Sequence, residues 1–315
     1  ISDELLQSIL DQVVAEMHHY YPGVPGATFK NDLNEIVSLF ISVAHGDPIP
    51  DNLQSNLTFK QLKSHLKAPH RMDLLVSPML TGGEWQCPLH CRGCYAAGQE
   101  GMQIERELTT EEWKTIIDRC REVGIPQLTF TGGEPTQRAD LVELVRHAEW
   151  HVTRLNTSGF NLSLQLCREL EKANLDGVQV TLYSDDHAIH DRLVGRLGAW
   201  VQTVQGIQNA LKAGLSVSVN TPLVKLNADY VSTLKTIRSL GVKYVTCSGL
   251  IPAGNAPARI RGGEALTSEE LLEVLQVANG TCQSLGLDLT FTSPGWLTSE
   301  QLAGIGLSSP ICGAC

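Results

Sequence analysis

The stretch Cys87-Pro-Leu-His-Cys91-Arg-Gly-Cys94-Tyr95 places three cysteines on one short loop, at spacings of four and three residues. Three thiolates on such a loop can hold three corners of a four-iron, four-sulfur cluster. No fourth cysteine lies nearby in the sequence, so the fourth iron stays open to a ligand that is not protein. The spacing therefore favours an iron–sulfur site with one open coordination position.

His90 leaves a second interpretation open, in which Cys-x2-His-Cys-x2-Cys surrounds a single zinc ion. A structural zinc site needs four protein donors and has no use for an open corner. The adjacent positions of His90 and Cys91 make it difficult for both side chains to point at one ion. We prefer the cluster and keep zinc as the alternative.

A second motif, Thr131-Gly132-Gly133-Glu134-Pro135, follows the strand-like segment Gln127-Leu-Thr-Phe130. Glycines allow the backbone to approach a small polar ligand closely, and a carboxylate beside them can hold an ammonium group by charge-assisted hydrogen bonds. Gly132, Gly133 and Glu134 are therefore candidate ligand-binding residues. A Gly-Gly turn that opens a helix is the structural alternative.

The Cys-x3-Cys-x2-Cys spacing and the Gly-Gly-Glu-Pro motif together resemble the signatures of the radical SAM superfamily. The resemblance implies a 4Fe-4S cluster on Cys87, Cys91 and Cys94, whose open iron binds S-adenosylmethionine. One electron then cleaves the sulfonium to methionine and a 5′-deoxyadenosyl radical. One feature departs from the family, which usually has an aromatic residue against the adenine just before the third cysteine. That position is Gly93 here, and Tyr95 is the candidate to replace it.

Composition and charge exclude several classes of protein. The chain has 315 residues, 42% of them hydrophobic, enough for a substantial core. A net charge of −10 argues against a nucleic-acid partner, which would require a basic surface. No run approaches the roughly 18 apolar residues of a membrane-spanning helix, so we expect no membrane partner. The start shows no secretory pattern, and the absence of an initiator Met indicates trimmed ends. Nine cysteines, several clustered, indicate metal ligands and a reducing cytoplasm rather than disulfides.

The first 71 residues are predicted to form a separate helical region. Apolar residues at helical spacing predict one helix around Leu5–Val13 and another around Leu33–Ile41, with Leu57–Leu66 as a candidate third. The pattern does not decide whether this region caps the rest of the chain or docks a substrate.

From residue 72 the pattern changes to strands that alternate with helices. The predicted strands are Met72–Leu80, Gln127–Thr131, Val152–Asn156, Val178–Tyr183, Leu215–Val219 and Tyr244–Leu250. Six such units imply an α/β fold with parallel strands joined by right-handed crossovers. A doubly wound sheet and a barrel both fit, and the resemblance selects a partial (β/α)6 TIM barrel over residues 72–286. Residues 287–315, with a late strand at Leu287–Phe291, are expected to begin a C-terminal extension.

In barrels of this kind the loops at the carboxyl ends of the strands carry the chemistry. The cysteine loop follows the first strand and the Gly-Gly-Glu-Pro motif follows the second, so both fall on the expected rim. For the remaining strands the resemblance nominates contacts to S-adenosylmethionine, although ordinary capping or core roles stay open. These are Asn156 and Ser158 after strand three, Thr181 or Ser184 for the ribose, Arg192 (preferred to Arg196) for the methionine carboxylate, and Asn220 and Leu250 near the adenine.

The other cysteines divide into three groups. Cys120, Cys167 and Cys282 lie on apolar helical faces and are predicted to be packing residues. Cys247, near the end of strand six, is either a cavity-facing hydrogen-atom donor or substrate ligand, or a core residue. Cys312-Gly-Ala-Cys315 lies where the SPASM and twitch subfamilies carry a cysteine-rich extension. The resemblance therefore implies auxiliary iron–sulfur ligation there, with a zinc site or a redox dithiol as alternatives.

The resemblance implies an enzyme of the SPASM or twitch type that abstracts hydrogen from a substrate. A ribosomally synthesised peptide that becomes crosslinked or epimerised is the leading expectation. A small-molecule enzyme of molybdopterin, haem or quinone-cofactor synthesis is the alternative, and a non-catalytic metal-binding protein is the alternative of another class. A one-electron reductant such as flavodoxin or ferredoxin is the implied partner.

Overall fold

The computed structural model describes residues 3–20, 25–47, 68–77, 80–81, 84–97, 106–292 and 297–307. Contacts between residues divide the chain into two units, residues 1–66 and residues 67–315. None of the described helices combines the length and the apolar character needed to cross a membrane.

The first unit contains the two predicted helices, α1 (Asp3–Tyr20) and α2 (Gly26–His45). The two helices pack against each other, and Leu10 and Phe29 are among the buried residues. Lys30 Nζ donates a hydrogen bond to Asp11 Oδ1 across the pair at 2.9 Å. The predicted third helix, Leu57–Leu66, lies outside the described residues.

The second unit alternates strands with helices. Its strands are β1 (Arg71–Ser77), β2 (Leu80–Thr81), β3 (Glu84–Trp85), β4 (Gln127–Gly132), β5 (Val152–Thr157), β6 (Gly177–Thr181), β7 (Ser216–Pro222), β8 (Tyr244–Ser248) and β9 (Asp288–Phe291). Its helices are α3 (Thr110–Glu122), α4 (Leu141–His147), α5 (Leu164–Lys172), α6 (His187–Val194), α7 (Ala199–Lys212), α8 (Tyr230–Ser239), α9 (Ala256–Arg261), α10 (Ser268–Leu285) and α11 (Ser299–Gly304).

Seven of the described strands form one parallel sheet in the order β1-β4-β5-β6-β7-β8-β9, whereas β2 and β3 form a separate antiparallel hairpin. The strands β1 and β9 stand at the two ends of this order, as an open, partial barrel requires. The predicted α/β fold is confirmed. The parallel sheet continues past residue 286, because β9 pairs with β8 through the register Cys247↔Phe291. Phe291 is buried in the same core as the other strands.

Local signals explain where several helices begin. At α3 the Thr109 hydroxyl accepts the Glu112 N–H while the Glu112 carboxylate accepts the Thr109 N–H, a reciprocal cap that satisfies two free donors. Thr267 and Glu270 repeat the arrangement at α10.

One face of the sheet packs on the helices and forms the main core. Leu128, Phe130 and Leu155 are fully buried there. The predicted packing cysteines are confirmed in the same core, namely Cys120, Cys167 and Cys282.

The opposite face of the sheet is polar. Because successive residues of a strand point to opposite faces, the polar positions Gln179 and Thr181 of β6 alternate with the buried valines Val178 and Val180. The interior of a closed barrel of this type is usually filled with branched apolar side chains. A polar inner face instead indicates a surface available for binding.

Candidate active site

A cavity of about 220 Å³ lies at the carboxyl ends of the strands. Eleven residues predicted as cofactor or metal contacts line it together, although they come from separate parts of the chain. They are Cys87, Cys91, Cys94, Tyr95, Gly132, Gly133, Asn156, Ser158, Thr181, Asn220 and Leu250.

Other predicted site residues do not line the cavity. Glu134 is buried directly behind its wall. Ser184 is also buried, and its hydroxyl accepts a hydrogen bond from the Asp186 N–H at 3.1 Å. Arg192 is exposed on α6. The auxiliary-cluster candidates Cys312 and Cys315 lie outside the described residues.

Cys247 belongs to the core and not to the cavity. Its neighbours Thr246 and Ser248 point to the polar face of β8, so Cys247 points to the helices and is fully buried. Burial raises the pKa of its thiol well above the usual range. Of the two alternatives for Cys247, the structure selects packing.

The cysteine loop is held on one side by the carboxyl end of α6. The His90 and Arg92 N–H groups donate to the carbonyl oxygens of Val194 and Leu193, both at 2.9 Å. Gly195 follows with a φ of +70°, and a Cβ there would stand 2.5 Å from the His90 carbonyl oxygen. These contacts fix the path of the loop on both sides of its second cysteine, Cys91.

A second clamp comes from the segment that precedes α9. The Asn255 N–H donates to the Cys94 carbonyl oxygen at 2.9 Å, and its side-chain amide donates to the Cys91 carbonyl oxygen at 3.2 Å. Gly254 adopts a φ of +58°, and a Cβ there would stand 2.3 Å from the Cys94 carbonyl oxygen. The loop is therefore pinned near its second and third cysteines by a segment far away in sequence.

The three thiols of the loop suit a shared positive centre. Burial, followed by the charges of Glu134 and Cys94, raises the pKa of Cys87 to about 12. Burial and the other two thiols also raise the pKa of Cys91. Because three thiolates crowd one another here, a cationic cluster is the partner that would let them ionise together.

The zinc alternative finds no support in the geometry. His90 is exposed and does not line the cavity that the three thiols share. Within the described part of the chain, no three His, Cys, Asp or Glu side chains are arranged to hold one metal ion.

The glycines of the second motif allow two strand ends to approach each other. Gly132 has a φ of +140°, and a Cβ there would stand 2.2 Å from the Ser77 carbonyl oxygen. The Gly133 N–H donates to that same oxygen at 2.7 Å. The end of β1, which leads into the cysteine loop, is thus joined directly to the end of β4.

Amides and hydroxyls on three neighbouring strands form the polar wall. Gln179 Nε2 donates to Thr246 Oγ1 at 3.2 Å, and Thr246 Oγ1 donates to Asn220 Oδ1 at 2.9 Å. This series of hydrogen bonds uses the Asn220 side-chain oxygen and leaves the Asn220 amide hydrogens for the cavity. Among the residues that the structure describes, no charged side chain lines the cavity.

Several cavity residues escaped prediction, including Gln179, Ser248 and Tyr183. The first two had a sequence signal, since each is a polar residue that alternates with buried apolar ones along its strand. Tyr183 has a pKa raised by burial and by the charges of Cys91 and Cys94, which places its hydroxyl in the field of the thiols.

The position that carries an aromatic in the resembled family is filled differently here. A Cβ on Gly93 would stand 2.7 Å from Leu250 Cδ2, so the Leu250 side chain covers this glycine. Tyr95 lines the cavity but is 46% exposed, and its hydroxyl is hydrogen-bonded to Thr131.

Comparison with known proteins gives a sequence match to the Radical SAM superfamily over residues 86–237. An AdoMet-dependent heme synthase from Oleidesulfovibrio alaskensis is 33% identical over 192 residues, which cover 60% of this chain and 49% of that protein. A PqqA peptide cyclase from Streptomyces rochei is 36% identical over 148 residues, which cover 46% of this chain and 40% of that protein. The chain spans about half the length of these relatives or less.

Solved structures share the fold at low sequence identity. Streptococcus suis SuiB bound to the precursor peptide SuiA aligns with a TM-score of 0.59 at 15% identity, covering 86% of this chain and 62% of that chain. The structure of anSMEcpe with bound AdoMet aligns with a TM-score of 0.56 at 15% identity, covering 70% of this chain and 63% of that chain.

Proposed function

We propose that the chain is a radical SAM enzyme that reductively cleaves S-adenosylmethionine at a 4Fe-4S cluster, because residues 86–237 match that superfamily. The family implies both cofactors, and we assign the cluster to Cys87, Cys91 and Cys94. The observation that carries the assignment is their shared cavity, which the Gly132–Gly133 backbone and the polar strand ends also line.

When bound, the cluster and S-adenosylmethionine supply a 5′-deoxyadenosyl radical that abstracts hydrogen from a substrate carbon. The protein's part is to position the reactants and to exclude water. Leu89, Tyr183 and Leu250 contribute buried apolar surface to the cavity wall. Asn156, Thr181 and Asn220 offer amide and hydroxyl groups on the opposite, polar side, where we place contacts to the nucleoside.

We propose a peptide as the substrate. Two relatives are PqqA peptide cyclases, at 36% and 34% identity, which agrees with the peptide-maturase-like type predicted from the sequence. The described cavity wall is neutral, with amides and hydroxyls that match the hydrogen-bonding groups of a peptide. The product would be a crosslinked or epimerised peptide.

A small molecule of cofactor synthesis is the second candidate, favoured by the relative that is an AdoMet-dependent heme synthase. A haem-like substrate carries carboxylates, which proteins usually bind with Arg or Lys. The described cavity residues include neither, so the peptide is the better fit.

The remaining parts of the proposal concern the rest of the chain. We propose that residues 72–286 form the catalytic barrel and residues 1–71 a cap or docking element. Apart from β9, which belongs to the sheet, residues 287–315 would begin an extension in which Cys312 and Cys315 ligate an auxiliary iron–sulfur cluster, with further ligands from elsewhere. Flavodoxin or ferredoxin would supply the electron in a cytoplasmic setting.

The test is anaerobic incubation of the reconstituted protein with S-adenosylmethionine and dithionite. Chromatography should detect 5′-deoxyadenosine, and a Cys91→Ala variant should lose both the brown colour and this product. Mass spectrometry of added precursor peptides should then show a loss of two hydrogens for a crosslink. A cluster-bearing protein that forms no 5′-deoxyadenosine would instead be a non-catalytic metal-binding protein.

A further inference from the structure

Glu134 is the acidic residue of the Gly-Gly-Glu-Pro motif, and its surroundings differ from those of a ligand-binding carboxylate. Its side chain is 1% exposed, and it does not line the cavity. Thr157 and Ser158, which do line the cavity, stand next to it at the carboxyl end of β5. The carboxylate therefore lies behind the wall.

Five protein donors surround the Glu134 carboxylate. Oε1 accepts from the Thr136 N–H at 3.1 Å and from the Thr136 and Thr157 hydroxyls, both at 2.6 Å. Oε2 accepts from the Ser158 N–H at 2.9 Å and from the Ser158 hydroxyl. Both oxygens therefore accept at least two hydrogen bonds each, from Thr136 after β4 and from Thr157 and Ser158 at the end of β5.

The hydroxyl protons of Thr157 and Ser158 must point at Glu134. Thr157 Oγ1 accepts the Gly159 N–H at 3.0 Å, and Ser158 Oγ accepts the Phe160 N–H at 3.3 Å. A hydroxyl has only one proton to donate. Each of these protons is therefore directed to the carboxylate, where the short oxygen–oxygen distances lie.

A carboxylate offers about four lone-pair sites on its two oxygens, and the five donors already occupy them. The ammonium group that the sequence placed here would have to displace a buried hydroxyl or N–H, which would then lack a partner. The contact would cost at least as much as it contributes.

We propose that Glu134 is a positioning residue that ties the carboxyl end of β4 to that of β5 and does not bind the amine of S-adenosylmethionine. It holds Thr157 and Ser158 in the wall beside Gly132 and Gly133. The inference rests on the proposed function, because S-adenosylmethionine is the ligand in question.

The test compares two nucleotides on the anaerobically reconstituted full chain by isothermal titration calorimetry. One is S-adenosylmethionine, and the other is its analogue without the amino group. In Glu134→Gln, an amide NH₂ group replaces one carboxylate oxygen and so faces at least two hydrogen-bond donors where an acceptor stood. If Glu134 is a positioning residue, the substitution weakens the binding of both nucleotides by the same factor, to within about twofold. It also lowers the thermal midpoint of unfolding before any nucleotide is added.

A direct contact to the amine gives a different pattern. Glu134→Gln would then weaken S-adenosylmethionine by about tenfold or more, as expected for a lost charge-assisted hydrogen bond, and leave the analogue and the thermal midpoint unchanged. That result would overturn the inference.

Thr157→Val is the matched variant if Glu134→Gln does not fold. It removes one donor to Glu134, together with the acceptor of the Gly159 N–H, and leaves the carboxylate intact. A positioning role therefore predicts a lower thermal midpoint and weaker binding of both nucleotides. Unchanged or tighter binding of S-adenosylmethionine, with an unchanged midpoint, would contradict it. If the wild type binds neither nucleotide, the proposed function fails. The thermal midpoint of Glu134→Gln then decides the inference. A midpoint equal to that of the wild type overturns it.

Discussion

Gly254 supports the cysteine loop in a way that one methyl group should disrupt. A Cβ at this position would stand 2.3 Å from the Cys94 carbonyl oxygen and 2.7 Å from that of Tyr95. Both neighbours are backbone atoms, so neither can rotate away as a side-chain end would. The Gly254→Ala substitution therefore has to displace the loop or the segment that precedes α9.

The cost has two parts that can be separated. An alanine in the left-handed region costs about 1–2 kcal/mol, and overpacking against the loop adds about 1–3 kcal/mol. Gly286 provides the matched control, since its φ is +64° and no atom lies within 4 Å of a Cβ built there. Gly286→Ala should show only the first part.

Urea denaturation of the reconstituted proteins measures the free energy of unfolding, and iron and sulfide analysis measures cluster content. Gly254→Ala should lose about 2–5 kcal/mol, from the sum of the two costs, and should also lose most of its iron. Gly286→Ala should keep its iron. If the two variants lose equal stability and both keep a full cluster, the clamp between Gly254 and the cysteine loop does not hold the metal site.

Two further predictions concern residues in contact with the cavity wall. The first is His190, whose Nδ1 accepts the N–H of the cavity residue Tyr183 at 3.2 Å. Burial lowers the pKa of His190 from 6.5 to about 4, so its contribution to stability is complete above pH 6.5 and is lost as the pH falls towards 4, by about 3 kcal/mol. Denaturation at several pH values measures the free energy of unfolding. Its decrease between pH 6.5 and pH 4 should be smaller in His190→Gln than in the wild type or in a control variant at the exposed residue His187. Equal decreases would contradict this. Gly93→Ala should lower the free energy of unfolding by about 1–3 kcal/mol through overpacking against Leu250. In a double-mutant cycle, Leu250→Ala should relieve most of that loss. Strictly additive losses would exclude the contact.

The parts of the fold that the sequence predicted are those with a local cause. Alternating apolar positions located the strands within a few residues, as with Val152–Asn156 against the observed Val152–Thr157. The rule that chemistry gathers at the carboxyl ends of parallel strands then brought the cysteine loop and the Gly-Gly-Glu-Pro motif to one cavity. Neither step required knowledge of contacts between distant residues.

A local signal was also available for Cys247. In Tyr244-Val-Thr-Cys-Ser248 the polar Thr246 and Ser248 lie two residues apart, so both point to the face that carries Gln179 and Asn220. Cys247 must then point to the apolar side with Val245. Strand parity alone separates the core cysteine from a cavity residue, provided that the polarity of both neighbours is considered.

Glu134 shows where such local reasoning stops. Nothing within the motif reveals that Thr157 and Ser158 will stand beside its carboxylate, because their positions depend on the pairing of β4 with β5, in which Phe130 lies opposite Leu155. The motif predicts a carboxylate next to a ligand-binding backbone, and a carboxylate can bind a ligand or brace a wall with the same atoms. Only the number of donors that already surround it separates the two roles. A buried, fully hydrogen-bonded acid in a binding motif is therefore better read first as part of the scaffold, and as a ligand contact only where an oxygen remains free.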